Sequence, residues 1–317
     1  MKQNILISAG GTATAWHLAS LISDKFSSYF NLFVCDINPP YLIPAARLAQ
    51  RFFQVPRIDS PEYHSHMLAL LAEHSIDIFV PLIDADVYRF PTDSVELAGL
   101  GVRSTGIPGC TSAVIGNKRN LSEFLVSHGF SAPRTVSFEE VMNQLGHRFF
   151  LKPEHGFGSK GTRVAEAEEV LRAVAREPDL LIQELCHEPE VTVEVFNQGT
   201  VFSLCRERLE IKAGVCTKAR IFADDALHSM AESLCGFLDL PIAFCFQVMK
   251  GTDDKWVITD VNPRLGAGTA LSTAYGWSLA SAALVCWGKL SIDPSQFLRT
   301  LPCDKHVVRV YQELLMD

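Results

Sequence analysis

The sequence predicts an α/β protein: a doubly wound parallel sheet at the N-terminal end, followed by an α+β remainder with antiparallel strands. Three observations carry this. From residue 4 to residue 80, apolar strands alternate with helical segments, the pattern of a parallel sheet covered by helices. Around residues 106–109 the alternation pauses in a cluster of Gly, Pro, Thr and Ser, which marks a boundary. From Glu190 onward, strand-like stretches are separated by tight turns, and Gly251-Thr252-Asp253-Asp254 joins two of them as a hairpin.

Taken in order, residues 4–8 form a buried strand that runs through Ala9-Gly10-Gly11 into a helix. Residues 32–35 form a second strand ending at Asp36. A helix near residues 44–50 follows, then a helix over 63–74 and a strand over 76–80. Ligands of such sheets gather at the carboxyl ends of strands, where Gly10, Gly11, Asp36 and Asp84 lie. Beyond the boundary come a helix over 118–128 ended by Gly129, a strand over 148–152 and a loop over 153–160. Strand, helix and strand then occupy 162–165, 168–176 and 180–184. Residues 190–221 read as strands turning at Asn197-Gln198-Gly199. A helix over 226–238 precedes the hairpin strands 244–250 and 255–261. The tail, 291–317, holds a strand-like run at 307–310 that can dock on a sheet.

Composition narrows the function classes. At 317 residues the chain accommodates two or three structural units. Hydrophobic content of 48% with 20% charged residues is that of a soluble globular protein. A net charge of −8 argues against a broad nucleic-acid surface. Nine cysteines without C-x-x-C spacing, mostly inside apolar runs, read as reduced core thiols, and no local signature marks a nucleophile. The N-terminus enters a strand directly, and the apolar segment 279–287 is too short for a membrane span. The expectation is a soluble cytoplasmic protein.

Four constellations carry chemistry. In Asp260-Val261-Asn262-Pro263-Arg264, residues two apart at a strand end share a face. A carboxylate and an amide there offer hard oxygen ligands to Mg²⁺, and Arg264 can hold a phosphate or carboxylate; the same stretch also reads as a strand ending in an Asn-Pro turn. Gln247, inside the apolar run 244–249, and Gly266-Ala267-Gly268 extend it. Its pairing with Asp260 depends on register. The second constellation is Lys152 with the run Gly156, Gly158, Ser159, Lys160 and Gly161. It is a phosphate-cradling composition that lacks the Walker A order and is followed by a strand; a hairpin tip is the alternative. The third is Gln183-Glu184-Leu185 at a strand end, with Glu190 after a short turn, suited to a nucleobase edge and ribose hydroxyls or simply solvated. The fourth is Arg206, Arg208, Lys212, Lys218 and Arg220, either a pocket wall facing an anion or alternate solvated positions on an exposed strand.

In their order and spacing these pieces resemble the ATP-grasp superfamily, in particular a half-unit of the carbamoyl-phosphate synthetase large subunit and related carboxylate–amine ligases. The resemblance runs from about residue 4 to about residue 290. It implies a pre-ATP-grasp domain over 1–110, a small ATP-grasp subdomain over 111–185, a large subdomain over 186–290 and a tail over 291–317. It implies that Lys118 and Lys152 are the nucleotide lysines and that Gly156, Gly158, Ser159 and Gly161 form the lid. Gln183, Glu184 and Leu185 become the adenine hinge and Glu190 the ribose contact. Gln247, Asp260 and Asn262 become the metal ligands, with Arg264, and Arg206 or Arg208, at the transferring group.

The implied cofactors are ATP and Mg²⁺, with Mn²⁺ as a substitute. The implied reaction joins a small carboxylate, an amino acid by family habit, to an amine through an acyl phosphate; selectivity is expected from residues 84–90, 206–220 and 266–273. The resemblance leaves a homodimer open, since related enzymes are often dimers, and implies no nucleic-acid or membrane partner. Two positions depart from the family pattern. Asp260 stands where the family usually carries Glu, and Gln247 where it often carries an acid. With no second synthetase half and no glutaminase domain, carbamoyl phosphate synthesis is not expected. The competing readings are a carboxylate kinase that stops at the acyl phosphate, a non-catalytic ATP-binding regulatory module, and a dinucleotide oxidoreductase. The last lacks the G-x-G-x-x-G spacing after residue 10.

Overall fold

A computed structural model describes residues 1–156, 161–299 and 304–316. Its first sheet is parallel, with strands β1 (Gln3–Ile7), β2 (Phe30–Asp36), β3 (Arg51–Gln54), β4 (Ile78–Val80) and β5 (Arg103–Ser104) in the order β3-β2-β1-β4-β5. Alternate residues feed two cores. Ile5, Ile7, Val34, Ile78 and Val80 enter one, and Leu6, Phe33, Cys35 and Phe79 the other. That is why these strands read as continuous apolar runs rather than alternating ones. The strand order reverses between β1 and β4, which opens a crevice at their carboxyl ends. Ala9-Gly10-Gly11 and Asp84 sit on its rim. Thr12 caps the helix Ala13–Lys25, its hydroxyl accepting from Ala15 N–H at 3.2 Å.

The stretch expected as a helix near 44–50 is instead a 3₁₀ turn over Pro44–Leu48, followed at once by β3. Arg51-Phe52-Phe53-Gln54 carries paired aromatics that suit a pleated strand better than a helix, and it pairs in parallel with β2.

The second sheet has three strands: β6 (Arg148–Pro153) between β7 (Arg163–Glu166) and β8 (Leu180–Gln183), all antiparallel. With the helices Phe138–Met142 and Ala167–Val174 it encloses its own small core around Val141, Leu151, Val170 and Ile182.

The third sheet is antiparallel with six strands: β9 (His187–Gln198), β10 (Thr200–Lys212), β11 (Val215–Phe222), β12 (Ala243–Lys250), β13 (Trp256–Asn262) and β14 (Lys305–Val308). Their order is β13-β12-β9-β10-β11-β14. The tail therefore docks as an edge strand, pairing with β11. One face of this sheet is apolar: Val191, Val193, Val195, Phe244, Phe246, Val248, Ile258 and Val261 pack in one core with the helix Lys118–Ser127. The other face is partly covered by the helices Thr269–Tyr275 and Leu279–Trp287, which join it to the N-terminal sheet in a single core. Among the described residues no helix is long and apolar enough to cross a membrane.

Candidate functional site

Register settles what the spacing left open. Gln247 pairs directly with Asp260, Gln247 with Thr192 on its other side, and Thr192 with Arg206. Residues opposite one another in a ladder point to the same face, so Asp260, Gln247, Thr192 and Arg206 form one polar row across four strands. Asn262, Cys245 and Glu194 form the next row on the same face. This is the face turned away from the valine–phenylalanine core.

A bulge at Thr259 breaks the β12–β13 ladder between Gln247 and Val248. Two residues of β13 there oppose one of β12, which re-aims the local backbone. The Thr259 carbonyl accepts the Lys152 ammonium at 3.1 Å. Lys152 comes from β6 and is buried, so this bond ties the small sheet to the polar row one residue from Asp260. Lys118 opens its helix behind the N-cap Asn117, whose side chain accepts from Arg119 and Asn120 N–H. Its ammonium donates to the Gly156 carbonyl at 2.8 Å, and its backbone N–H to the Glu154 carbonyl at 2.9 Å. Arg119 and Asn117 hold the Glu154 carboxylate.

Arg264, just past β13, grips a residue of the N-terminal domain. Its Nε lies 2.8 Å from Asp84 Oδ1, and Nη2 donates to Asp84 Oδ2 at 3.0 Å. Nη2 also donates to Asn262 Oδ1 at 3.1 Å, and Asn262 Nδ2 reaches Asp260 Oδ2 at 3.4 Å. Asp84 begins the helix Asp84–Arg89 after β4, so the crevice of the first sheet opens onto the polar row of the third.

The charges here are coupled. Burial pushes the Asp260 carboxyl above the usual carboxylate range, and Asp84 adds to the rise. Lys118, Lys152 and Arg264 pull it back. Burial lowers the Lys152 ammonium, opposed by Asp260 and reinforced by Lys118. Three cations, Lys118, Lys152 and Arg264, thus face two carboxylates, Asp84 and Asp260. In a chain of net charge −8 that local positive excess suits a polyanion.

The remaining sequence-selected residues fall as follows. Gly156 and Gly161 both have positive φ, 144° and 78°, at the two ends of the glycine run; Gly158 and Ser159 lie outside the described residues. Gln183 is buried and donates to the Pro133 carbonyl at 3.2 Å. Glu184 accepts from Arg134 N–H and donates its own N–H to the Arg134 carbonyl. Both side chains are thus spent on the neighbouring segment, and Leu185 is left half-buried at the junction of the two sheets. Glu190 pairs with Arg208. The five cations of the 206–220 segment each meet a carboxylate of the chain: Arg206 meets Glu194, Arg208 meets Glu190, Lys212 and Lys218 meet Glu210, and Arg220 meets Glu207 and Asp304.

Two features escaped the sequence reading. Glu194 is fully buried on β9, 3.2 Å from the equally buried Arg206 guanidinium. That guanidinium lies against Gly268, where a Cβ would fall 2.0 Å from Arg206 Cζ, so a side chain there would have to displace the ion-paired guanidinium. The signal was a glutamate inside Val191-Thr192-Val193-Glu194-Val195, where an unpaired charge is not tolerated. Among the described residues no cluster of three or more His, Cys, Asp or Glu could hold a metal by itself.

Two family models match the chain. Residues 115–268 match the ATP-grasp domain, and residues 5–104 match the PylC-like N-terminal domain. No curated protein matches at the sequence level. Among solved structures, N5-carboxyaminoimidazole synthetase from Staphylococcus aureus complexed with ADP superposes with a TM-score of 0.72 at 13% identity. The match covers 93% of this chain and 80% of that one. The biotin carboxylase domain dimer of Hydrogenobacter thermophilus 2-oxoglutarate carboxylase, in complex with MgADP, ADP and bicarbonate, gives 0.71 at 13% identity, with 92% and 71% covered. L-amino acid ligase from Bacillus licheniformis gives 0.69 at 14% identity, with 93% and 76% covered.

Proposed function

We propose, since residues 115–268 match the ATP-grasp domain and residues 5–104 the PylC-like N-terminal domain, that the chain is an ADP-forming ligase joining a small carboxylate to an amine. The observation that carries this is Lys152 lying against the Thr259 carbonyl beside Asp260, with Lys118 and Arg264 close enough to act on the same carboxylate. A lysine from the small sheet, a lysine at a helix start and an acid-tipped strand of the large sheet converge, as a triphosphate between them requires.

The donor set fits Mg²⁺ of the kind held largely by a nucleotide's own phosphates. Asp260 supplies one half-buried carboxylate, and the Asn262 and Gln247 amides supply neutral oxygens. A bound Mg²⁺ supplies charge neutralisation on the phosphate oxygens. Lys118 and Lys152 bind and orient the phosphates; Lys118 exchanges the Gly156 carbonyl for them. Recognition of the base falls to the backbone around Glu184 and Leu185, since the Gln183 and Glu184 side chains are engaged elsewhere.

Arg264 holds the substrate carboxylate in line with the γ-phosphorus, and Asp84 is the positioning residue that fixes its guanidinium. The carboxylate oxygen attacks, ADP departs, and the amine displaces phosphate from the acyl phosphate while losing a proton. Arg206, neutralised by Glu194, supports the floor of the site from beneath.

The test is phosphate release from ATP and Mg²⁺ with pooled amino acids, repeated with hydroxylamine to trap an acyl phosphate. The expected result is stimulation by one pool and hydroxamate formation. A second reading, a nucleotide-binding module without turnover, is favoured by the single carboxylate in the metal row. ATP binding by calorimetry with no phosphate release from any pool would decide for it.

A further inference from the structure

The arginines of the six-stranded sheet and its flanking loop share one property, with one exception. Arg206, Arg208, Arg220 and Arg264 each have a carboxylate partner. Arg309 has none among the described residues. It follows β14 directly, and its N–H donates to the Thr217 carbonyl at 2.8 Å, so the tail continues the ladder. Lys305 pairs with Ile221 and Val307 with Ala219. By strand alternation Arg309 therefore points to the same face as Arg206. Nη2 donates to the Ala267 carbonyl at 2.6 Å, which uses one of five guanidinium donors and leaves its charge unbalanced.

Burial first, and then the Arg206 guanidinium, hold Arg309 below the usual arginine range. Across the cleft, on the helix Ala13–Lys25, the His17 imidazole accepts from or donates to Thr273 Oγ1 at 3.0 Å. It is pushed down to about 4 by burial and then by Arg309. The neighbouring Arg206 is matched by Glu194 and the histidine is neutral, so Arg309 is the guanidinium here that has no carboxylate of its own among the described residues. Arg264 Nη1 donates to the Leu265 carbonyl at 3.3 Å, two residues from the carbonyl that Arg309 holds. Two residues of chain span at most ~7 Å, so the two guanidinium groups are anchored close together on one loop.

We propose that Arg309 is a specificity-determining residue that receives a second acidic group of the substrate, making the preferred substrate a small dicarboxylate or acidic amino acid. The identity of the activated group rests on the ligase reading above; the binding of the second acid does not.

The test is calorimetric titration of succinate and of acetate into the ADP-loaded protein and into Arg309→Met and Arg309→Lys. Wild type is expected to bind succinate at least ~10-fold tighter than acetate, a difference of about 1.4 kcal/mol. Arg309→Met is expected to erase the gap, and Arg309→Lys to restore part of it through charge without the fork. Unchanged ADP affinity in every variant shows that the fold is intact. Equal succinate affinity in wild type and Arg309→Met, or no preference over acetate in wild type, overturns the proposal. A phosphate-release screen that stays silent would end the ligase reading and leave this difference standing. If a pool is active, Arg309→Met raises its KM at least ~10-fold with kcat within about twofold.

Discussion

The two faces of the six-stranded sheet are built from the same strands and obey opposite rules. On one, Val191, Val193, Val195, Phe244, Phe246 and Val248 alternate into a closed apolar core. On the other, the intervening positions are Thr192, Glu194, Cys245 and Gln247, with Arg206 and Asp260 in register. The first face exists to exclude water, and its stability is the sum of transferred area. The second buries charge, which is unfavourable unless each ion is matched. Its ions divide accordingly. Glu194 and Arg206, deep in the sheet, neutralise one another. Asp260, Lys152 and Lys118, toward the cleft, keep a positive excess. The difference teaches where to look for function: not among buried charges as such, but where the internal match is incomplete.

That division breaks most visibly at its deepest ion. Glu194→Ala leaves the Arg206 guanidinium alone at 3% exposure, and the expected loss is ~3–5 kcal/mol of unfolding free energy. Replacing both, as Glu194→Leu with Arg206→Met, is expected to recover most of it, because an apolar pair of like volume avoids the desolvation cost. Urea denaturation of the three proteins decides. If the single variant is as stable as wild type, the pair is not a matched buried ion pair, and Arg206 is free for substrate.

At the cleft end the expected signature reverses. Asp260→Asn should lower Mg²⁺-dependent phosphate release at least ~10²-fold, since a metal-ligand charge in a dry site is worth several kcal/mol. Thermal stability should not fall, because Asp260 is held above its usual range by burial and its charge is a cost to the apo fold. An unchanged Mg²⁺ titration, or a drop in stability like that of the Glu194 variant, would place Asp260 with the structural ions instead.

What was readable in the sequence follows the same division. The apolar face is written in alternation, and the hairpin at residues 251–254 in turn residues, so both strands and their connection were accessible. Asp260, Asn262 and Lys152 were accessible because hard ligands and cations at strand ends have few structural uses. The pairing of Gln247 with Asp260 was not, since a one-residue slip exchanges faces and the bulge at Thr259 carries no composition signal. Asp84 with Arg264 was beyond reach for another reason: 180 residues separate them, and nothing local encodes a contact made by docking two sheets. Arg309 directly follows a short edge strand whose partner is set by the tertiary fold. The expected helix near residue 44 failed because the aromatic pair after it favours pairing with β2 over continuing a turn.

The mildest test lies where the polar face is closed off by the N-terminal domain. His17, on the helix Ala13–Lys25, meets Thr273 on the helix that covers β11 and β14. Burial, then Arg309 and Lys25, push its imidazole from the ordinary 6.5 down to about 4. The sign follows from proton counting. Between pH 6.5 and 4 the unfolded chain binds a proton at this histidine and the folded chain does not, so stability rises with pH across that window. The contribution is complete above the upper limit and is lost progressively as pH falls toward the lower one. Allowing for solvent at a partly exposed ring, its size is on the order of 2 kcal/mol. His17→Gln keeps a hydrogen-bonding side chain and removes the titration. Relative to wild type it should gain stability at pH 4.5 and little or nothing at pH 7.5. Identical slopes for the two proteins would mean that this histidine charges freely in the folded state and that neither burial nor the Arg309 charge holds it neutral.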